Sequence, residues 1–156
     1  MNRLCGEYNR RWWSYILSTV DQILAVDGVR AASGSLNRTI NLPQDYFDND
    51  PAKPDRVTAL ALTGLDPKNI QTLRAYPVVE GRFLQAGDGA VVVIHKTLAG
   101  NLGLDFGDTL TIPAPNGALG LTIVGILPSK TTPGNEELYV NLKTAQAALN
   151  MPGQIN

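Results

Sequence analysis

Ala90-Val91-Val92-Val93-Ile94 is an unbroken apolar run, dominated by β-branched side chains. Successive side chains of a strand point to opposite faces, so a run with no polar member needs cover on both. Such a strand belongs inside a sheet, with structure packed above and below it. That demand excludes a single-layer sheet and sets the frame for every other element. The chain has 156 residues, 44% of them hydrophobic, enough to supply one core of ordinary domain size.

Around this strand the periodicities alternate between helix and sheet. Trp13, Ile16, Leu17, Val20, Ile23 and Leu24 recur at helical spacing, and Gly28 offers a left-handed stop, which predicts a helix over 13–26. A strand is expected over 29–42, then a loop over 43–56. Residues 57–63 read as a strand closed by Gly64. Asp66-Pro67 carries a helix start, Asp as N-cap and Pro in the first turn, running to about Arg74. Residues 96–102 read as a helix ended by Gly103, and Thr109-Leu110-Thr111-Ile112 as a half-buried strand. Asn116-Gly117 predicts a hairpin turn, with 119–127 as the returning strand. A loop over 128–137, a short strand at Leu138-Tyr139-Val140 and a helix over 143–149 complete the reading. The expected fold is α+β: a mixed or antiparallel sheet with short helices, an N-terminal amphipathic helix and one Asn-Gly hairpin. Residues 1–156 make a single domain, within which 76–142 could form a small lobe.

Charge and chemistry exclude several functions. Lys+Arg 13 against Asp+Glu 14 argues against nucleic-acid binding by phosphate neutralisation. Cys5 is the single cysteine, so neither an intramolecular disulfide nor a multi-thiolate metal site can form. Arg10-Arg11 precedes Trp12-Trp13, but Ser18, Thr19 and Asp21 interrupt the apolar run too early for a signal peptide. No stretch approaches the ~18 apolar residues of a membrane span. His95 is the single histidine, and nothing in the sequence brings Cys5 to it as a nucleophile. Asp45, Asp48, Asp50 and Asp55 form an acidic loop, but the glycine a calcium loop requires at its sixth position is missing, so solvated carboxylates are expected. Asn37-Arg38-Thr39 matches a glycosylation sequon and carries no weight alone. Phosphate-cradling glycine motifs are absent. No catalytic, cofactor-binding or metal residue is assigned. The loops at 128–137 and around Asp48 are the expected contact surfaces, because binding residues favour loops on a rigid scaffold.

Three glycines carry local predictions. Gly81 before Arg82 suggests positive φ or close backbone approach. Gly107-Asp108 marks the start of a strand, where the Asp side chain can accept from backbone N–H groups. Gly125 within an apolar strand suggests a bulge or close packing.

The order of short signatures over 76–142 resembles a known family. They run Tyr76-Pro77-Val78-Val79-Glu80-Gly81-Arg82-Phe83, then Val91-Val92-Val93-Ile94, then Leu98-Ala99-Gly100-Asn101-Leu102-Gly103-Leu104. Phe106-Gly107-Asp108-Thr109-Leu110, Thr122-Ile123-Val124-Gly125-Ile126-Leu127 and Leu138-Tyr139-Val140-Asn141-Leu142 follow, with Ala145-Gln146 in the last helix. With Ala61-Leu62-Thr63-Gly64-Leu65-Asp66-Pro67 upstream, this order resembles the MacB-like periplasmic core domain of FtsX-like ABC transporter permeases over about residues 14–156. The resemblance implies an extracytoplasmic domain inserted between the first and second transmembrane helices of a longer, membrane-anchored subunit. It also implies a non-catalytic role, relaying ATP-driven helix motion to a substrate or partner protein. The implied partners are a cytoplasmic ABC ATPase, a second permease subunit and an extracytoplasmic protein or substrate; cofactors are not implied. Only about residues 36–57 stand where larger members carry an inserted lobe. Members usually continue past residue 156 with a strand and helix, so an unpaired sheet edge favouring strand-mediated self-association is expected. Two other readings are a free-standing ligand-binding or assembly module with a small β-barrel, and a small hydrolase using His95.

Overall fold

A computed structural model describes residues 19–43, 46–47, 57–130 and 137–156. The elements are α1 (residues 19–24), β1 (Ser35–Asn41), β2 (Ala59–Leu65), α2 (Pro67–Leu73), β3 (Glu80–Gly81), β4 (Val91–His95), α3 (Lys96–Leu102), β5 (Thr109–Ala114), β6 (Gly117–Leu127), β7 (Glu137–Asn141) and α4 (Leu142–Ala148). All seven strands join one mixed sheet in the order β1-β2-β7-β4-β6-β3, with β5 paired to β6. Among the described residues the order is open from β1 to β3, with no closed ring of the kind the β-barrel reading needs. Of the predicted helix over 13–26, residues 19–24 are helical, and its first six positions lie outside the described residues.

β4 meets the demand its sequence makes. It lies between β6, to which it is parallel, and β7, to which it is antiparallel. Val92 and Ile94 enter a core with Leu60 and Leu62 of β2, Leu98 and Ala99 of α3, and Ala145 and Ala148 of α4. Val93 points the other way, into a second core with Leu65, Phe83, Leu84, Leu127 and Tyr139, closed by Ile70 of α2. Val92, Val93 and Ile94 are fully buried, each contributing roughly 1.5–3 kcal/mol by burial.

Strand ends are set by partners more than by local composition. The strand expected over 29–42 begins only at Ser35, because β1 pairs with β2 from Ser35↔Leu65 to Asn41↔Ala59 and β2 reaches no further. β2 itself does not close at Gly64 but continues through Leu65, since β7 pairs alongside at Gly64↔Val140 and Leu65↔Asn141. Gly64 is there for space. A Cβ on it would stand 2.5 Å from the Ala145 Cβ and 3.2 Å from the Leu142 Cα, so its missing side chain lets α4 lie against the sheet.

The hairpin turn also moves by one residue. Ala114 pairs with Gly117, which leaves Pro115 and Asn116 as the two loop residues. Proline cannot take the positive φ of the expected turn, so Gly117 takes it instead, at +113°. The other glycine readings hold: Gly81 has φ +76° and Gly107 φ +89°. At Gly125 the β4–β6 register slips, Val92 pairing with Ile123 and Val93 with Gly125, so Val124 is the bulged residue. Asp66 caps α2 by accepting from Lys68 N at 3.1 Å, and Gly103 ends α3 in the left-handed region.

Gly64→Ala should destabilise the fold by about 2–3 kcal/mol through overpacking, read as a lowered urea midpoint. Adding Ala145→Gly should recover part of that loss by removing the opposing methyl group. Equal midpoints for the single and double variants would contradict the contact.

Candidate functional site

The C-terminal end of β4 delivers His95 to the start of β7. Ile94 pairs with Leu138 and Val93 with Tyr139. The two-residue period of β7 puts Glu137 and Tyr139 on one face, toward His95 and the segment that follows β6. Lys130 Nζ donates to Glu137 Oε2 at 2.5 Å, and the Tyr139 hydroxyl donates to the same oxygen. His95 Nδ1 lies 2.8 Å from Pro128 O. A carbonyl only accepts, so Nδ1 carries a proton and donates. Nε2 is buried without a hydrogen-bond partner among the described residues, 3.8 Å from Glu137 Oε2.

These contacts decide the charge states. Burial opposes ionisation of Glu137, but the hydrogen bonds from Lys130 and Tyr139 outweigh it and hold the carboxyl below its ordinary range. Burial and the Glu137 carboxylate push the Tyr139 hydroxyl upward, which keeps it a donor. Tyr76 stacks on Phe83 at 4.3 Å and meets Tyr139 edge-on at 5.4 Å, while the Arg74 guanidinium lies 5.3 Å from the Tyr76 ring centre. Arg74, Tyr76, Pro77, His95, Lys130 and Tyr139 line a cleft of about 350 Å³.

The cluster works as a clasp: it binds residues 128–130 and the start of β7 to the end of β4. The cation of Lys130 is spent on Glu137, and His95 spends its proton on a backbone carbonyl. Glu137 stands beyond hydrogen-bond reach of His95, and the neighbouring Ser129 hydroxyl makes no hydrogen bond to it. A second clasp closes the turn before β4. Arg82 grips Asp88 at 2.8 and 2.9 Å, and Asp88 also accepts from Gln85 N. The Asn141 side chain donates to Asp88 O at 2.6 Å, joining that turn to the start of α4.

Several sequence candidates remain apart from this cluster. Cys5, Asp45, Asp48, Asp50 and Asp55 lie outside the described residues, as does 131–136 of the expected contact loop. Among the described residues no group of three or more His, Cys, Asp or Glu could hold a metal ion. Asn37 lies on β1, with its amide nitrogen 2.9 Å from Thr63 Oγ1. Asp108 at the start of β5 accepts from Asp105 N at 2.8 Å, the backbone role expected of it. Sequence reasoning placed Lys130 and Glu137 in the expected contact loop over 128–137 but did not join them, or Tyr139, to His95. The alternation of Glu137 with Tyr139 was readable, but their meeting with His95 depends on the antiparallel β4–β7 pairing.

The family model for the MacB-like periplasmic core domain matches residues 6–156. The chain belongs to this family. The family is described as a periplasmic core domain, and the chain is accordingly a MacB-like core domain. No curated protein gives a significant match. Among solved structures, the extracellular domain of the noncanonic ABC-type transporter YknZ from Gram-positive bacteria is similar, with TM-score 0.62 and 17% identity. The match covers 86% of this chain and 66% of that one. A domain of a candidate permease protein from Porphyromonas gingivalis is similar with TM-score 0.53 and 12% identity, over 84% of this chain and 54% of that one. The MacB-like core domain therefore spans between half and two thirds of the length of these structures. Among its described residues no helix is long and apolar enough to cross a membrane.

Glu137→Gln should lower stability at neutral pH by about 1–2 kcal/mol, by urea unfolding, because the charge-assisted bonds to Lys130 and Tyr139 weaken. Since the folded carboxyl titrates below the unfolded one, its stabilisation is complete above the ordinary value of 4.5. It is lost as pH falls through the folded value, so parent and variant should converge in acid. A gap that persists in acid would contradict the assignment.

Proposed function

We propose that this domain acts without catalysis, relaying ATP-driven motion of transmembrane helices to an extracytoplasmic substrate or partner protein. On this reading it belongs to a membrane-anchored permease subunit, works beside a second permease subunit and depends on a cytoplasmic ABC ATPase. Family membership supports the setting. The observation that carries the relay is the meeting of the segment after α4 with the start of β1. Asn156 N donates to Ser35 O at 2.8 Å, and Asn37 N donates to Asn156 Oδ1 at 2.8 Å. Asn156 Nδ2 reaches back to Asn37 O at 3.2 Å, and Ile155 packs over Gly34.

The segment leading into β1 and the segment leaving α4 thus run side by side. A sheet held by two adjacent legs follows their motion as a body, since β1 is bonded along its whole length to β2 and the clasps tie the turns to the sheet. Such a body suits mechanical transfer better than internal chemistry. Among the described residues His95 has its donor engaged by Pro128 O and its other nitrogen 3.8 Å from Glu137 Oε2, an arrangement that supports the non-catalytic reading.

The test uses full-length permease with its ATPase, Cys5→Ser, and a spin label at Asn116→Cys in each permease subunit. The label-to-label distance should shift by several ångströms between nucleotide-free and ATP-bound states. Identical distances in both states, with ATP hydrolysis intact, would refute the relay.

A further inference from the structure

β6 is eleven residues long, yet β4 pairs with it only from Thr122 onward. Residues 117–121 have β5 on one side and, among the described residues, no strand on the other. The hydrogen bonds show which groups that open side presents. Thr122 N donates to Ala90 O at 3.0 Å, on the β4 side, whereas Ile123 N donates to Asp108 O at 2.9 Å, on the β5 side. Backbone groups alternate between the two edges of a strand. The N–H and C=O of Gly120 and Ala118 therefore point the same way as those of Thr122, into the space beyond Ala90. Pro113 pairs opposite Ala118, a position where the missing proline N–H costs the β5–β6 ladder nothing.

That space is a cleft of about 460 Å³, with Gly89, Ala90, Ala118, Lys143, Thr144 and Ala147 among its lining. Its width is set by Thr144 Oγ1, which donates to Gly89 O at 3.0 Å and fixes α4 beside the end of β4. Glycines and alanines make up much of the wall, with Asp88, Asn116 and Leu119 also lining it, so side chains of a guest have room. Lys143 is exposed on the rim, and the nearby Asp88 carboxylate is already held by Arg82.

We propose that this gap in the sheet receives an extended segment of a partner protein, which pairs with β6 at Ala118 and Gly120 and prolongs the line of β4. Two donors and two acceptors, repeating every second residue, match the edge of a β-strand. The small walls select side chains of modest size, and the Lys143 ammonium, which has no carboxylate partner among the described residues, selects an acidic residue on the segment. The site is independent of the proposed relay, because it rests on the β6 register, the cleft beside it and Lys143, none of which the relay uses.

The test is hydrogen exchange by NMR on the ¹⁵N-labelled 156-residue chain, with the capped peptide AVAEVAT as probe. In the free protein the Ala118 and Gly120 amides should exchange fast, between the protected amides of Leu119 and Leu121. Millimolar peptide should slow both about tenfold or more, as paired amides do. Ala118→Pro should abolish that protection at Gly120, and Lys143→Glu, a change on the exposed side of a helix, should weaken binding about fivefold or more. An analogue N-methylated on alternate residues should not bind through its blocked edge. Absence of protection at saturating peptide, or protection indifferent to both substitutions, would overturn the proposal. Protection that rises with protein concentration alone would also overturn it, assigning the edge to a second copy.

Discussion

The two-sided burial of β4 is the constraint on which the rest of this fold depends. A strand with no polar face cannot stand at the edge of a sheet or on its surface. Its neighbours β6 and β7 fill both hydrogen-bonding edges, and two cores fill both faces. Each partner then inherits a task. α3 and α4 cover one face, while the Phe83-Leu84 segment and α2 cover the other. The helices can be short because each needs only to roof a few strand residues. Gly64 shows how closely that roof is fitted, since one methyl group there would collide with α4.

The same strand explains why the polar cluster lies where it does. β4 ends at His95, and a buried strand that reaches the surface brings its neighbours' ends with it. Lys130, Glu137 and Tyr139 therefore converge on a histidine from which they are far apart in sequence. Their mutual satisfaction makes the end of the sheet rigid.

Much of this was legible in local patterns. The apolar run of β4, the Asp66-Pro67 start of α2 and the α3 stop at Gly103 all depend on interactions within a few residues. So do the bulge at Gly125 and the Asp108 contact at the start of β5. What local patterns could not show was pairing. β1 is shorter than its composition suggested because β2 ends opposite Ser35. β2 runs through Gly64 because β7 lies beside it. The hairpin loop shifted because Pro115, next to the expected Asn-Gly pair, restricts φ where that turn needs freedom. The clasp at His95 and the open stretch of β6 were invisible for one shared reason: both follow from which strands are neighbours.

The carboxamide of Asn156 has one more consequence. Its oxygen and nitrogen engage the N–H and C=O of Asn37, so a side chain stands in for a stretch of backbone along β1. With Ser35 O taken by Asn156 N, the residues of β1 with both outward backbone groups left open among the described residues are Thr39 and Asn41. Two residues, next to the exposed and charged Arg38, offer little template for a passing strand. Asn156 thus acts as a stopper at this rim of the sheet, covering the stretch from Ser35 to Asn37 with a single neutral amide and its own backbone.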